Sequence, residues 1–96
     1  MKVPHTYITT NTYNKVIYTG VTSDIVKRVK QHKEKYYKGF SSRYNCDKLV
    51  FYREFPTMLE AIAFEKKLKA GNRKNKEKLI NEMNPEWKDL SEGWYE

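Results

Sequence analysis

Tyr7, Tyr18, Arg28, His32 and Glu65 are side chains of the kinds that phosphodiester cleavage uses. That reaction needs a polarised nucleophile, cations against the phosphate and, commonly, a divalent ion held by a carboxylate. Glu65 stands out by its position. Laid out at about 100° per residue, residues 58–70 put Met58, Ala61, Ile62, Phe64 and Leu68 on one apolar arc, and Glu65 falls inside it. A carboxylate aimed inward must find a cation, a metal or a proton, whereas Glu60 on the opposite face needs none of these. Periodicity alone does not choose between a structural salt bridge and a functional site. Arg28 and His32 stand one helical turn apart at the edge of an apolar stripe, so both can face one pocket. Taken singly, His32 reads as a packed histidine, Arg28 as a surface cation, and the two tyrosines as an aromatic cross-strand pair worth roughly 0.2 to 1 kcal/mol. Their convergence is what favours a catalytic reading.

The elements that must position these residues follow from period and punctuation. Thr6 to Thr10 and Val16 to Val21 are β-branched and aromatic runs separated by Asn11-Thr12-Tyr13-Asn14-Lys15, which predicts a hairpin. Centred between Thr12 and Tyr13, it sets Tyr7 opposite Tyr18. Ser23 offers an N-cap and Asp24 a first-turn carboxylate for a helix over residues 24–36, with Ile25, Val29, His32 and Tyr36 on one stripe. Tyr37 to Asp47 reads as a loop, and Lys48 to Phe55 as a third strand stopped by Pro56. Thr57 caps a second helix to about Ala70, Gly71-Asn72 breaks it, and Arg73 to Asn84 forms a third with Leu79, Ile80 and Met83 inward. The order is ββαβαα. A small three-stranded antiparallel sheet with helices packed on it is the natural α+β solution.

Ninety-six residues, 39% of them apolar, support one modest core, so a single domain is expected over residues 1–84 with a tail, 85–96, packed on it. Nineteen Lys and Arg against twelve Asp and Glu give a net charge of +7, which favours a polyanionic partner, nucleic acid before a membrane surface. The charge is uneven: residues 1–81 carry a net of +11, and residues 82–96 a net of −4. Trp87, Leu90, Trp94 and Tyr95 argue that this acidic tail packs. One cysteine, Cys46, makes no internal disulfide and has no Cys-x-x-Cys companion, which excludes stapled secreted scaffolds and structural zinc sites. No apolar run nears the roughly 20 residues that span a bilayer, and Met1-Lys2-Val3-Pro4-His5 lacks a signal peptide's hydrophobic stretch, so a soluble, cytoplasmic protein with no membrane partner is expected.

The run Tyr18-Thr19-Gly20-Val21-Thr22-Ser23-Asp24, followed by Arg28 and His32, resembles the second half of the GIY-YIG nuclease signature, with Tyr7 at the tyrosine of its first half. The resemblance continues through Glu65 in a Glu-Lys-Lys-Leu-Lys run to Arg73 and Lys76. It reaches Asn84-Pro85-Glu86-Trp87-Lys88-Asp89-Leu90, which is similar to the ending of small stand-alone bacterial members. His5-Thr6 stands in place of the first Gly-Ile and Thr19 in place of the second Ile, while Gly20 is kept. The resemblance implies the ββαβαα fold and Mg²⁺- or Mn²⁺-dependent hydrolysis of a nucleic-acid phosphodiester, with one ion on Glu65. It also implies a tyrosine near the attacking water and Arg28 and His32 at the scissile phosphate. Between the tyrosines, Tyr7 is the choice for the water and Tyr18 for orientation. Asn72 and Asn75 receive no catalytic role.

Two function classes stay open: a small metal-dependent endonuclease, acting on DNA as repair or recombination requires, and a non-catalytic nucleic-acid-binding module on the same fold. The absence of room for a targeting domain favours the binding module, or an enzyme directed by a partner protein. An interaction scaffold leaves the basic body without a purpose. Lys27, Lys30, Lys33, Lys35, Lys69, Arg73 and Lys76 are the expected phosphate contacts, with Lys38, Lys66, Lys67, Lys74 and Lys78 beside them. Tyr36, Tyr37, Phe40 and Tyr44 interleave stacking surfaces with the first of these stretches.

Overall fold

The computed structural model describes residues 2–35, 39 and 43–95. The expected contributions of Tyr36, Tyr37, Lys38 and Phe40 lie outside the described residues. In chain order the elements are β1 (His5–Thr10), β2 (Ile17–Thr22), α1 (Ile25–Lys33), β3 (Lys48–Glu54), α2 (Met58–Ala70) and α3 (Arg73–Met83). The strands form one antiparallel sheet in the order β2-β1-β3, so the ββαβαα, α+β reading holds.

All six residues of β1 are buried, as befits a middle strand covered on both faces. Neighbouring side chains on it enter opposite clusters. Ile8 packs with Val50, Phe51, Leu68 and Ile80 on the α2 and α3 side, while Tyr7 packs with Val29 and Leu49. Tyr18, Ile25, Leu90 and Trp94 close the second cluster, which therefore lies between the sheet and α1. Thr57 starts α2 by accepting the Glu60 N–H at 3.2 Å, and Asn72 starts α3 by accepting the Asn75 N–H at 3.0 Å. At the break between them the Gly71 N–H donates to the Lys67 and Leu68 carbonyls.

Four local expectations are corrected. Tyr7 lies opposite Gly20 rather than Tyr18, which pairs with Thr9. The connection runs from Asn11 to Val16, because the Asn11 carboxamide accepts the N–H of both Lys15 and Val16 and so draws Val16 out of the strand. The slip is two residues, and a two-residue slip keeps every side chain on its original face. Tyr7 and Tyr18 thus still share a face, as diagonal neighbours. The cap of α1 is Asp24, whose carboxylate accepts the Lys27 N–H at 3.1 Å, and not Ser23. Its own N–H is held by the Thr22 hydroxyl at 3.0 Å, which places Ser23 outside the first turn. The helix stops at Lys33, short of residue 36, with Lys35 in the left-handed region at φ 53°. Met83 is 42% exposed, because the inward position at the end of α3 is taken by Asn84, whose side chain donates to Val50 O and Lys88 O.

Candidate active site

Tyr7 sits at the centre of the second cluster with no accessible surface, and its hydroxyl lies 2.8 Å from His32 Nε2. The Tyr7, Tyr18 and His32 rings form a triangle, with centroids 6.3 Å (Tyr7–Tyr18), 5.5 Å (Tyr7–His32) and 5.2 Å (Tyr18–His32) apart. Arg28, one turn before His32 on α1, and Tyr18 both act on the Tyr7 hydroxyl, Arg28 favouring the ionised phenol and Tyr18 opposing it. Four residues singled out by type therefore meet across β1, β2 and α1.

Gly20 explains why the ring of Tyr7 can lie where it does. A Cβ on Gly20 would come within 2.5 Å of Tyr7 Cζ and of its hydroxyl oxygen. The requirement is steric, since Gly93 is the described glycine with a left-handed backbone. Gly20→Ala is expected to displace the Tyr7 ring, break its bond to His32 and cost roughly 1 to 3 kcal/mol by overpacking. Chemical denaturation, with the aromatic NMR signals of Tyr7 and His32 as site probes, measures both effects.

The electrostatics follow from enclosure. Burial pushes the Tyr7 phenol well above its usual range and Tyr18 adds to the shift, while the charge and hydrogen bond of Arg28 oppose it. Burial, reinforced by the Arg28 charge, lowers His32 from the ordinary imidazole value of 6.5 to about 4. His32 is neutral at physiological pH. A neutral imidazole carries one N–H, so Nε2 can accept the Tyr7 proton or donate to the Tyr7 oxygen according to its tautomer.

Arg28 also lines a polar hollow of about 160 Å³ at the start of α1, with Lys2, Thr22, Ser23, Asp24, Lys27 and Gln31. Glu65 lies on α2, its side chain only 14% exposed, and pairs at 3.3 Å with Lys69, whose side chain is 54% exposed. The inward position expected from periodicity is thus real, and the cation it finds is an outward one. Three of the expected phosphate contacts have intramolecular partners. Lys33 donates to Asp89 and to Asp47 O, Lys69 pairs with Glu65, and the Arg73 guanidinium donates to the carbonyls of Asn14 and Lys15 and to Glu77. Lys27, Lys30 and Lys35 are exposed and Lys76 partly so. Tyr44 is 42% exposed, with Arg43 over its ring. The sequence reading missed Lys2 and Gln31 at the hollow, since nothing in their local pattern marks them.

Residues 3–78 match the GIY-YIG catalytic domain. The chain belongs to the GIY-YIG family. The solution NMR structure of the UPF0213 protein BH0048 from Bacillus halodurans is similar to it over 94% of this chain and 96% of that one, at 25% identity and a TM-score of 0.57. No curated protein matches the chain. GIY-YIG domains are nucleases that act on nucleic acids and generally depend on a divalent metal, so the family supports an enzyme of that general kind here. Among the described residues no three His, Cys, Asp or Glu side chains cluster as a metal cage. Magnesium does not require one. It keeps several waters and is held by one or two carboxylates together with substrate phosphates. A largely buried Glu65 whose partner Lys69 can swing into solvent fits that donor set. No helix among the described residues is long and apolar enough to cross a membrane.

Proposed function

We propose that this GIY-YIG domain is a metal-dependent endonuclease that hydrolyses phosphodiester bonds of nucleic acid, DNA in the first instance, in the cytoplasm. Residues 1–84 form its catalytic domain, residues 85–96 its tail, and DNA repair or recombination is the setting such an activity suits. The observation that carries this reading is the Tyr7 hydroxyl bonded to His32 within a triangle of rings completed by Tyr18, beside Arg28, which lines an open polar hollow.

In this reading Arg28, with Lys27 and Lys2 at the hollow, holds the scissile phosphate. Glu65 would hold the divalent ion, Mg²⁺ or Mn²⁺, which when bound neutralises phosphate charge and favours departure of the leaving oxygen. The proton of the attacking water passes to a tyrosine. Sequence alone gave that water to Tyr7, but burial supports exchanging the two roles, since Tyr7 has no accessible surface and Tyr18 is only partly buried. Tyr18 then takes the water's proton as its own hydroxyl proton passes to solvent, while Tyr7, bonded to His32, packs beside it and fixes its ring. No free phenolate is needed at any point. The water oxygen bonds to phosphorus, one ester oxygen leaves, and it is protonated by solvent.

Cleavage of a panel of branched, nicked, duplex and single-stranded DNA, with matched RNA and with Mg²⁺, Mn²⁺ or EDTA, tests this. Divalent-dependent cleavage supports the enzyme, and binding without cleavage under every condition supports the non-catalytic module. Salt dependence tests the interface independently. With Lys27, Lys30, Lys35 and Lys76 as four phosphate contacts, the slope of log affinity against log salt on a single strand is expected near −3. That corresponds to roughly a 50-fold loss between 50 and 200 mM salt. A flat response sinks the electrostatic interface, and a much steeper one means that Lys33, Lys69 and Arg73 leave their present partners on binding.

A further inference from the structure

The helix that brings Arg28 and His32 to the tyrosines has little packing of its own. Among its nine residues Val29 is the fully buried one, and a helix of that length is marginal in water without tertiary support. What fastens it comes from the far end of the chain. The Tyr95 hydroxyl donates to Val26 O at 2.7 Å, in the first turn of α1, and the Asp89 carboxylate receives Lys33 Nζ at 2.5 Å, at its last residue. Both ends of α1 are therefore held by one segment.

That segment is itself anchored on the edge strand β3. The Leu49 N–H donates to Asp89 Oδ1 at 3.3 Å, and the Leu90 N–H donates to Leu49 O at 2.7 Å. The N–H and hydroxyl of Ser91 also donate to Asp89 Oδ1, at 3.0 and 2.6 Å, so the carboxylate gathers four donors. Burial alone would raise the Asp89 carboxyl, but the bonds from Lys33 and Ser91 hold it below its ordinary value. Trp94 stands edge-on to Tyr52 with centroids 5.8 Å apart, and Leu90 and Trp94 pack into the same cluster as Tyr7 and Val29. Asp89, Leu90, Ser91, Trp94 and Tyr95 all lie beyond the stretch that matches the family's catalytic domain, which ends at residue 78.

We propose that residues 89–95 are a strap that sets the catalytic geometry, with Asp89 and Tyr95 as positioning residues that hold α1, and through it Arg28 and His32, against Tyr7 and Tyr18. The inference rests on the active-site reading above. It assigns the acidic tail a role inside the site's scaffold. A strap that only stabilised the fold would leave the surroundings of His32 unchanged once the protein was folded. A strap that positions α1 cannot be loosened without changing them.

The test uses the full chain and two conservative variants, Asp89→Asn and Tyr95→Phe, which remove a charge and a hydroxyl respectively with little change of shape. His32 is titrated by NMR, and single-turnover cleavage is measured at saturating DNA together with affinity. Loosening either end is expected to raise the His32 midpoint from about 4 toward 6.5 as water reaches the ring. It is also expected to slow cleavage by up to about 10²-fold with affinity close to that of the parent. A lower melting temperature with an unchanged His32 midpoint overturns the proposal. The titration needs no turnover, so if the parent cleaves nothing the nuclease reading fails while the strap is still decided by His32.

Discussion

Glu65→Gln is expected to abolish divalent-dependent cleavage while leaving the fold and its melting temperature almost unchanged. Two consequences of losing this carboxylate were conceivable from sequence. Had Glu65 closed a buried salt bridge, its removal would strand a cation and cost roughly 3 to 5 kcal/mol. The partner it has is Lys69, one turn away and with half its side chain in solvent. An i,i+4 pair of that sort contributes about 0.3 to 0.5 kcal/mol, and the freed ammonium simply rehydrates. Stability is therefore a weak readout here and metal affinity a strong one. Isothermal titration with Mn²⁺ in the presence of an uncleaved oligonucleotide, alongside thermal unfolding, separates the two. A large fall in melting temperature with unaltered metal affinity would remove Glu65 from the metal site.

The second large effect is expected at Tyr18. If it takes the proton of the attacking water, Tyr18→Phe lowers single-turnover cleavage by about 10² to 10⁴ with binding nearly unchanged, which is the usual loss on removing a general base. Tyr7→Phe removes the bond to His32 and is expected to cost less, because Tyr18 keeps its own hydroxyl and its access to solvent. The comparison is made at saturating substrate across pH 5 to 9, in the range where His32 is already neutral. If Tyr7→Phe is the dead variant and Tyr18→Phe nearly normal, the roles revert to those read from sequence. If both retain activity, the tyrosine pair is not the catalytic site.

Much of this architecture was legible before any coordinates. β-Branched and aromatic runs, a proline stop at Pro56, Thr57 as a cap and the Gly71-Asn72 break marked the order ββαβαα, and a carboxylate inside an apolar arc marked Glu65. What escaped were choices made by single side chains toward distant or irregular backbone. The hairpin register depends on the Asn11 carboxamide capturing two N–H groups, which no periodicity encodes. Arg73 read as a phosphate ligand because its neighbours are basic, yet its guanidinium reaches the carbonyls of Asn14 and Lys15, nearly sixty positions earlier. The burial of Tyr7 depends on β1 becoming the middle strand, which only pairing with β3 decides. The contacts of Asp89 to Lys33 and of Tyr95 to Val26 span 56 and 69 positions, beyond any local pattern.

Those long spans fix when the site can exist during synthesis. The hairpin carries both tyrosines and emerges first, but its tip waits for Arg73 and its middle strand waits for β3. The helix bearing His32 waits longer, for Asp89 and Tyr95. At about 5 to 20 residues per second, several seconds separate translation of the first tyrosine from translation of the last anchor. A ribosome carrying this nascent chain holds Tyr7, Tyr18, Arg28 and His32 well before the contacts of Asp89 and Tyr95 can fasten α1 against the sheet.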